Sequence, residues 1–130
     1  MEDALEFYKG VIFDKYADFY GRARRAEFWN FYLVHLLIII GLALIGPRIN
    51  LRLYLMALMF YFLATIIPSL AVTVRRLHDT DKSGWWYFIG LIPIIGEITL
   101  IVFLATEGTD GPNRYGEDPK EEEFILEENQ

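Results

Sequence analysis

The chain has 130 residues, of which 54% are hydrophobic and 16% aromatic, and its formal net charge is -6. It has no cysteine, which excludes disulfides, thiolate metal sites and cysteine nucleophiles. Its basic residues cluster beside apolar segments, so we expect no nucleic-acid partner. We also expect no cleaved secretory signal, because the first residues interleave charges with aromatic side chains.

The N-terminal segment, residues 1–21, has the period of an amphipathic helix. Acidic side chains lie on one side of it, and Gly21 is expected to end it. Beside a membrane span, such a helix either lies flat in the interface or packs its apolar face on the protein, and the sequence favours neither. The apolar stripe has spacings of three and four residues: Leu5, Tyr8, Ile12, Tyr16 and Phe19.

Three long apolar stretches follow, at 28–46, 53–74 and 85–105. Each has about 19 to 22 residues, which matches a hydrocarbon core of about 30 Å. The sequence therefore predicts an all-α membrane protein with three transmembrane helices in residues 22–106 and an amphipathic N-terminal interfacial helix. Residues 107–130 are expected to form a turn-rich acidic tail.

The tail leaves two alternatives open. Residues 118–121 have the pattern of a helix start, with Asp118 as the capping acceptor, a proline directly after it and Glu121 three residues after Asp118. One alternative is therefore a short acidic helix through Glu127. Disorder is the other, since the segment is charged and lacks an extended packing face.

The basic residues predict an orientation. With three spans, the N-terminal flank and the second loop share one side, which the positive-inside rule places in the cytoplasm. The acidic C-terminus is then expected on the far side. The basic residues on the expected cytoplasmic side are Lys9, Lys15, Arg22, Arg24, Arg25, Arg75, Arg76 and Lys82. Those on the far side are Arg48, Arg52, Arg114 and Lys120.

Polar residues inside the apolar stretches form one candidate site. Glu97 lies near the middle of the third stretch, and an acid near the bilayer centre costs about 2.5 to 3.5 kcal/mol on insertion scales. Either Glu97 belongs to a proton or cation relay, or it is a neutral, hydrogen-bonded acid that holds helices together. The second interpretation is favoured. Pro68, which cannot donate to the Ala64 carbonyl, predicts a kink in the second stretch. The predicted intramembrane cluster is His35, Thr65, Ser69, Thr73 and Glu97.

Charged residues at the ends of the stretches form a second candidate. Arginine forks bind phosphate in pairs, so a pocket for an anionic lipid headgroup is one interpretation and an ion-pair network is the other. His78, Asp79 and Asp81 do not define a metal coordination set. We predict no catalytic residue, cofactor or metal site. The network would comprise Arg22, Arg24, Arg25, Glu27, Arg75, Arg76, His78 and Asp79.

Three motifs stand beside the apolar stretches. They are FYGRARRAEFW at 19–29, AVTVRRLHDTDKSGWW at 71–86 and GTDGPNRYGEDP at 108–119. In this order, the motifs resemble a family of small bacterial inner-membrane proteins, domain of unknown function 805, over about residues 15–119. The resemblance implies a small helical protein of the bacterial inner membrane without an assigned biochemical activity. Glu97 lies outside these motifs.

From these patterns we expect a non-enzymatic, multi-pass integral membrane protein with a structural or accessory role. It would act through contacts with the lipid bilayer, an anionic phospholipid or a partner membrane protein, and self-association is reasonable. The alternative is an oligomeric small transporter or channel subunit that uses Glu97 and His35. A lipid-modifying enzyme using His78 and Asp79 is the least favoured hypothesis.

Overall fold

The computed structural model describes residues 2–121 and 128–129, and within them the chain is helical. The expected acidic helix over 118–127 lies largely outside the described residues. The helices are α1 (Glu2–Lys9), a π-helical turn (Gly10–Asp14), α2 (Arg25–Ile49), α3 (Leu51–Asp79), a 3₁₀ helix (Gly84–Leu91) and α4 (Ile95–Ala105).

Helices α2 and α3 are long and apolar enough to cross a membrane. Only 17% and 22% of their apolar windows are buried, whereas the core helix of a soluble protein would be mostly buried. Asn50 joins them, and its side chain accepts a hydrogen bond from the Leu53 N–H at 3.1 Å, which caps α3. The first two predicted spans are therefore present as continuous helices.

The N-terminal helix ends earlier than the sequence suggests. Its π-helical turn stops at Asp14, not at Gly21, and the chain then turns so that the Ala23 N–H donates to the Arg75 carbonyl at 2.9 Å. Val11 is fully buried, and the Tyr8 ring stacks on Phe31 with 5.4 Å between centroids. Part of its apolar face thus packs on the protein itself, while Leu5 and Tyr16 of the predicted stripe are exposed.

Helix α3 continues through Pro68, which lies inside it. Because proline has no N–H, the Ala64 carbonyl loses its helical donor. The Tyr16 hydroxyl, which follows the π-helical turn, donates to that carbonyl at 2.6 Å. The N-terminal segment thus satisfies the backbone group that the proline leaves open, as a membrane helix requires.

The third apolar stretch is a hairpin and not a straight span. The 3₁₀ helix leads to a tight turn, in which the Ile95 N–H donates to the Pro93 carbonyl at 2.7 Å. Ile94 there has φ +65° and ψ -66°, a strained γ-turn conformation. The returning helix α4 has 11 residues, about 16 Å by helical rise, which is too short to cross a bilayer.

Both ends of this apolar hairpin, residues 84–105, lie at the same end of α3. A Cβ on Gly84 would lie 2.9 Å from Val74 Cγ1, and the Arg76 guanidinium donates to the Leu104 carbonyl at 2.9 Å. A third straight helix would instead carry residue 106 to the opposite end. The structure therefore has two helices long enough to cross a membrane and a shorter apolar helix in place of the expected straight third span, and residue 106 returns to the end of α3 where the hairpin begins.

A small apolar core lies at this same end. It forms where the N-terminal segment, the start of α2, the end of α3 and the end of α4 meet. Most of the remaining apolar surface of α2, α3 and the hairpin is exposed, as expected for helices whose solvent is lipid. The buried core residues are Val11, Ala23, Phe28, Phe31, Val72, Leu77 and Leu104.

Candidate functional site

One carboxylate binds two arginines at the packed end of the molecule. The Arg22 Nε donates to Asp79 Oδ1 at 2.9 Å, and the Arg76 Nη1 donates to Asp79 Oδ2 at 2.6 Å. All three side chains are at most 1% exposed. We call Arg22, Arg76 and Asp79 the arginine clasp. Buried charges of this kind are tolerated only when they are paired and hydrogen-bonded.

Backbone carbonyls take up the other donors of Arg22. Its guanidinium donates to the carbonyls of Thr109 at 2.5 Å, Gly111 at 2.7 Å and Gly116 at 3.3 Å. Gly111 and Gly116 have φ values of +72° and +133°, which glycine adopts without a steric penalty. The glycines of the third motif thus shape a loop whose carbonyls face an arginine from the first motif.

Arg76 fixes the return of the hairpin in the same way. It donates to the Leu104 carbonyl at 2.9 Å, to the Ala23 carbonyl at 3.2 Å and to the Thr106 carbonyl. The end of α4 and the segment before α2 are therefore held at one level by one side chain. These carbonyls include helix-terminal groups that have no intrahelical donor.

The chain also passes very close to Asp79 at Gly108. The Thr109 N–H donates to the Asp79 carbonyl at 2.7 Å, and a Cβ on Gly108 would overlap the Asp79 carboxylate. Only glycine leaves room for this approach. The resulting contact closes the loop over the arginine clasp.

Asp118 closes the same loop from its far end. Its carboxylate accepts from the Gly111 and Lys120 backbone N–H groups, each at 3.0 Å. Burial opposes ionisation, but these hydrogen bonds outweigh it and hold the pKa of Asp118 below its ordinary value. The side chain therefore stays ionised and keeps both donors paired.

His78 is engaged on three sides. Its Nδ1–H donates to the Gly21 carbonyl at 2.9 Å, and its backbone carbonyl accepts from Asn113 Nδ2 at 2.9 Å. Its ring stacks on Tyr115 with 3.9 Å between centroids and 1° between planes. Among the described residues, no three histidine or acidic side chains are placed to hold a metal ion.

A second buried ion pair lies beside the clasp. The Arg75 Nη1 donates to Glu27 Oε1 at 2.5 Å, and the Lys15 Nζ lies 3.4 Å from the same oxygen. The Nε and Nη2 atoms of Arg75 are buried without a hydrogen-bond partner in the described part of the chain. This pair links the N-terminal segment to α2 and α3.

The two remaining arginines of the predicted network lie outside these pairs. The Arg24 guanidinium lies 5.6 Å from the centre of the Phe7 ring, and Arg25 is exposed at the start of α2. The eight predicted charged residues are thus not one cluster. They divide into the arginine clasp, the Arg75–Glu27 pair, the stacked His78 and the two peripheral arginines.

Of the predicted intramembrane cluster, the structure places His35 and the three hydroxyl residues at the contact of α2 and α3, and Glu97 elsewhere, on α4. His35 Nδ1 lies 2.9 Å from the Tyr61 hydroxyl, which lies 3.0 Å from the Tyr8 hydroxyl. Glu97 is exposed in the first turn of α4 and forms no hydrogen bond or ion pair within the described residues. No contact between His35 and Glu97 is found among the described residues.

The three hydroxyl residues of α3 bind locally. Thr65 donates to the Tyr61 carbonyl at 2.8 Å, and Thr73 donates to the Ser69 carbonyl at 2.7 Å. The Tyr32 hydroxyl of α2 lies 3.0 Å from Thr73 Oγ1. This polar face therefore lies at the α2–α3 contact.

Sequence reasoning missed the tyrosines that connect the N-terminal segment to the spans. Tyr8 and Tyr16 belong to the apolar stripe of the sequence, yet both hydroxyls bind α3. Tyr61 lies four residues before Thr65, so the spacing that grouped the α3 hydroxyls also contained it. The same four-residue spacing is the signal that could have found it.

A mainly apolar cleft of about 810 Å³ lies between α3, the 3₁₀ helix and the loop before α2. We call it the interface cleft. Polar groups lie at the end near the arginine clasp, and aromatic rings line the rest. Its lining residues are Phe19, Tyr20, Leu70, Val74, His78, Ser83, Gly84, Trp85, Tyr87, Phe88 and Tyr115.

The segments that build the clasp coincide with a family match. The family model described as Protein of unknown function (DUF805) matches residues 16–117, most of the chain. The chain belongs to the DUF805 family. The matched range contains Arg22, Arg76, Asp79 and the loop whose carbonyls they bind. The family predicted from the three motifs is thus confirmed.

Relatives of this DUF805 protein are known in Escherichia coli K12. Inner membrane protein YhaI is 45% identical over 122 residues, covering 89% of this chain and 97% of YhaI. Inner membrane protein YhaH is 40% identical over 119 residues, covering 89% and 98%. Uncharacterized protein YiiR is 26% identical over 134 residues, covering 82% and 88%. No solved structure matches the chain.

The names of the two more similar relatives agree with the structure. Helices α2 and α3 can each cross a membrane, and their apolar surfaces are mostly exposed. This DUF805 protein is accordingly a bacterial inner-membrane protein, and two of its helices are long and apolar enough to cross a membrane. The expected membrane location is confirmed at this level.

Proposed function

We propose that this protein is a non-enzymatic accessory protein of the inner membrane that binds a phospholipid in its interface cleft. The observation that carries the proposal is the cleft itself, with its volume of about 810 Å³ and its largely aromatic and aliphatic lining. Leu70 and Trp85, at its walls, are 37% and 78% exposed. In a membrane, acyl chains are the apolar groups available to fill such a cleft.

The polarity of the cleft supports a phospholipid as its occupant. From Leu70 to His78 the cleft follows eight residues of α3, about 12 Å by helical rise. Its deep part is apolar, and its polar groups, from Ser83, His78 and Tyr115, lie near the arginine clasp. An acyl chain fits the deep part, and the glycerol and headgroup region fits the polar end.

The arginine clasp supports a structural role for the charged motifs. The donors of Arg22 and Arg76 are engaged by Asp79 and by backbone carbonyls. A headgroup phosphate would have to displace these internal bonds. The clasp is therefore better suited to hold the hairpin and the following loop than to bind a ligand.

The geometry also supports a revised orientation, with two crossings and a re-entrant hairpin. Residues 106–121 then share the side of the N-terminal flank, and both ends of the chain described here face the cytoplasm. Of the 12 basic residues, only Arg48 and Arg52 remain on the far side, so the count is ten to two. The three-span arrangement gave eight to four, which fits the positive-inside rule less well.

Lipid retention tests the proposed function. The protein would be purified in mild detergent, and native mass spectrometry would count the phospholipids bound to each molecule. We expect at least one retained phospholipid in the wild type and its loss in Val74→Phe, which fills the cleft wall. The matched control is Leu55→Phe, because Leu55 is exposed on α3 far from the cleft.

The outcome that contradicts the proposal is equal retention by the two variants. Circular dichroism would verify that Val74→Phe keeps its helical content, so that a loss of lipid is not a loss of fold. A detergent-purified wild-type protein without any bound phospholipid would also count against the proposal.

A further inference from the structure

Glu97 lies on a surface where lipid alone would be a poor neighbour. It is exposed in the first turn of α4, eight residues before Ala105 and so about 12 Å from the clasp end by helical rise. That depth is near the middle of a hydrocarbon core of about 30 Å. The described residues offer it no hydrogen bond or ion pair. Ionisable side chains at such depths face a protein or water-filled interior and are paired there.

His35 offers a matching polar atom at a similar depth. It lies ten residues into α2, about 15 Å from the clasp end by helical rise. Its Nδ1 is engaged by the Tyr61 hydroxyl at 2.9 Å, and its ring stacks on Phe31 with 5.7 Å between centroids. These contacts fix the ring, while Nε2 makes no hydrogen bond to any residue that the structure describes. The side chain is only partly buried.

The two groups are chemically complementary. When the Tyr61 hydroxyl donates to Nδ1, the proton of the neutral ring is on Nε2, which can donate to a carboxylate. In the other tautomer, Nε2 accepts from a carboxylic acid. Either arrangement gives Glu97 a hydrogen bond, and the second one, with a carboxylic acid and a neutral ring, places no charge in the membrane.

Within one molecule the two side chains face different neighbours. α4 packs on the 3₁₀ helix and α3, and Glu97 lines a separate cavity of about 410 Å³ with Tyr87 and Leu91. His35 is directed to Tyr61 and Phe31, on the side where α1 packs. The structure thus leaves two complementary groups, near one depth, without a shared contact.

We infer that a second copy of this chain covers the exposed surface of α4 that carries Glu97, with Glu97 of one molecule bound to His35 Nε2 of the other. The contact sets the two hairpins into an intermolecular interface inside the membrane. This contact is a self-association surface separate from the interface cleft, so the inference does not depend on the proposed lipid binding.

The lack of cysteine in the chain permits a direct test by cross-linking. Two differently tagged copies, one carrying His35→Cys and one Glu97→Cys, would be co-expressed and treated in membranes with a short bis-methanethiosulfonate. We expect a mixed-tag dimer. The control pair replaces Glu97→Cys with Leu55→Cys, a residue that is exposed on α3 toward the opposite membrane face, and should give no such product.

The second measurement is energy transfer between labelled copies in vesicles, which gives the self-association constant of each variant. Removing an interhelical hydrogen bond in the membrane should weaken association about threefold to tenfold. We expect that loss for Glu97→Leu and for His35→Phe, no further loss when the two are combined, and a smaller loss for Glu97→Gln, which still hydrogen-bonds. Circular dichroism should give the wild-type helical content for Glu97→Leu, so that weaker association is not a loss of fold.

Three results would overturn the inference. The first is the absence of the mixed-tag product, or an equal yield from the Leu55 pair. The second is an efficient cross-link within a single chain that carries both cysteines. The third is additive losses in the combined variant, because two residues that share one bond cannot lose it twice.

Discussion

At the residue scale, Asp79 determines how three distant segments meet. Its carboxylate binds Arg22, which is 57 residues away in the chain, and Arg76, and its backbone carbonyl binds Thr109. A buried ion pair adds little net stability over an apolar substitute, since desolvation offsets the attraction. Loss of one partner is costly, however, because it leaves buried charge without compensation.

Asp79→Asn should therefore destabilise the protein strongly. Two buried guanidinium groups would lose their carboxylate, at a cost of about 3 to 5 kcal/mol. The matched control is Asp81→Asn, because Asp81 pairs with Arg114 at 3.1 Å with side chains 43% and 67% exposed. Exposed pairs contribute about 1 kcal/mol or less. Equilibrium unfolding in mixed micelles would measure both, and equal losses would contradict a structural clasp.

At the element scale, the hairpin depends on residues that a span of the same hydropathy would not need. Pro93 cannot continue the hydrogen bonding of a helix, and Ile94 takes a strained backbone conformation at the tip. Gly96 lets the two arms approach, since a Cβ there would overlap the Ile89 carbonyl oxygen and lie 2.8 Å from Ile92 Cβ. The clasp then holds the returning arm.

Gly96→Ala should force the arms of the hairpin apart. Overpacking of this kind typically costs about 1 to 3 kcal/mol. Gly41→Ala in α2 is the control, because a Cβ there meets nothing within 4 Å and alanine favours a helix over glycine by about 1 kcal/mol. We expect the first variant to lower the free energy of unfolding and the second to leave it unchanged or raise it. The opposite order would argue for a straight third helix.

At the scale of the whole molecule, the position of residues 106–121 decides the topology. A chain with three straight spans ends on the far side of the membrane, whereas a chain with two spans and a re-entrant hairpin ends on the side where it began. Contacts of Arg22 with Thr109 and Gly111 favour the second arrangement. Re-entrant backbone is tolerated at membrane depth where it packs on protein.

Cysteine labelling in intact cells should report this topology. In the cysteine-free chain, Glu117→Cys should react with a membrane-impermeant maleimide only after permeabilisation, since residue 117 is expected in the cytoplasm. Arg48→Cys, in the exposed end of α2, should react from outside. Labelling of Glu117→Cys from outside would restore the three-span arrangement.

The sequence by itself determined that this is a helical membrane protein of the DUF805 family and where its two membrane-capable helices lie. Span length and hydropathy are local properties of the sequence. The motifs that contain Arg22 and Asp79 are contiguous runs of residues, so they indicate the family without a structure. The sequence did not show that His35 and Glu97 contact different neighbours. It also did not show that the Tyr8 and Tyr61 hydroxyls bind each other, because both facts depend on which helix faces meet.

Only the tertiary structure decided that the third apolar stretch turns back and that the charged motifs join in one clasp. The contacts responsible link Arg22 to Gly116, 94 residues apart, and Arg76 to Leu104, 28 residues apart. Most of the acceptors are backbone carbonyls, which every residue has and no motif marks. A straight helix and a hairpin have the same composition, and long-range hydrogen bonds distinguish them.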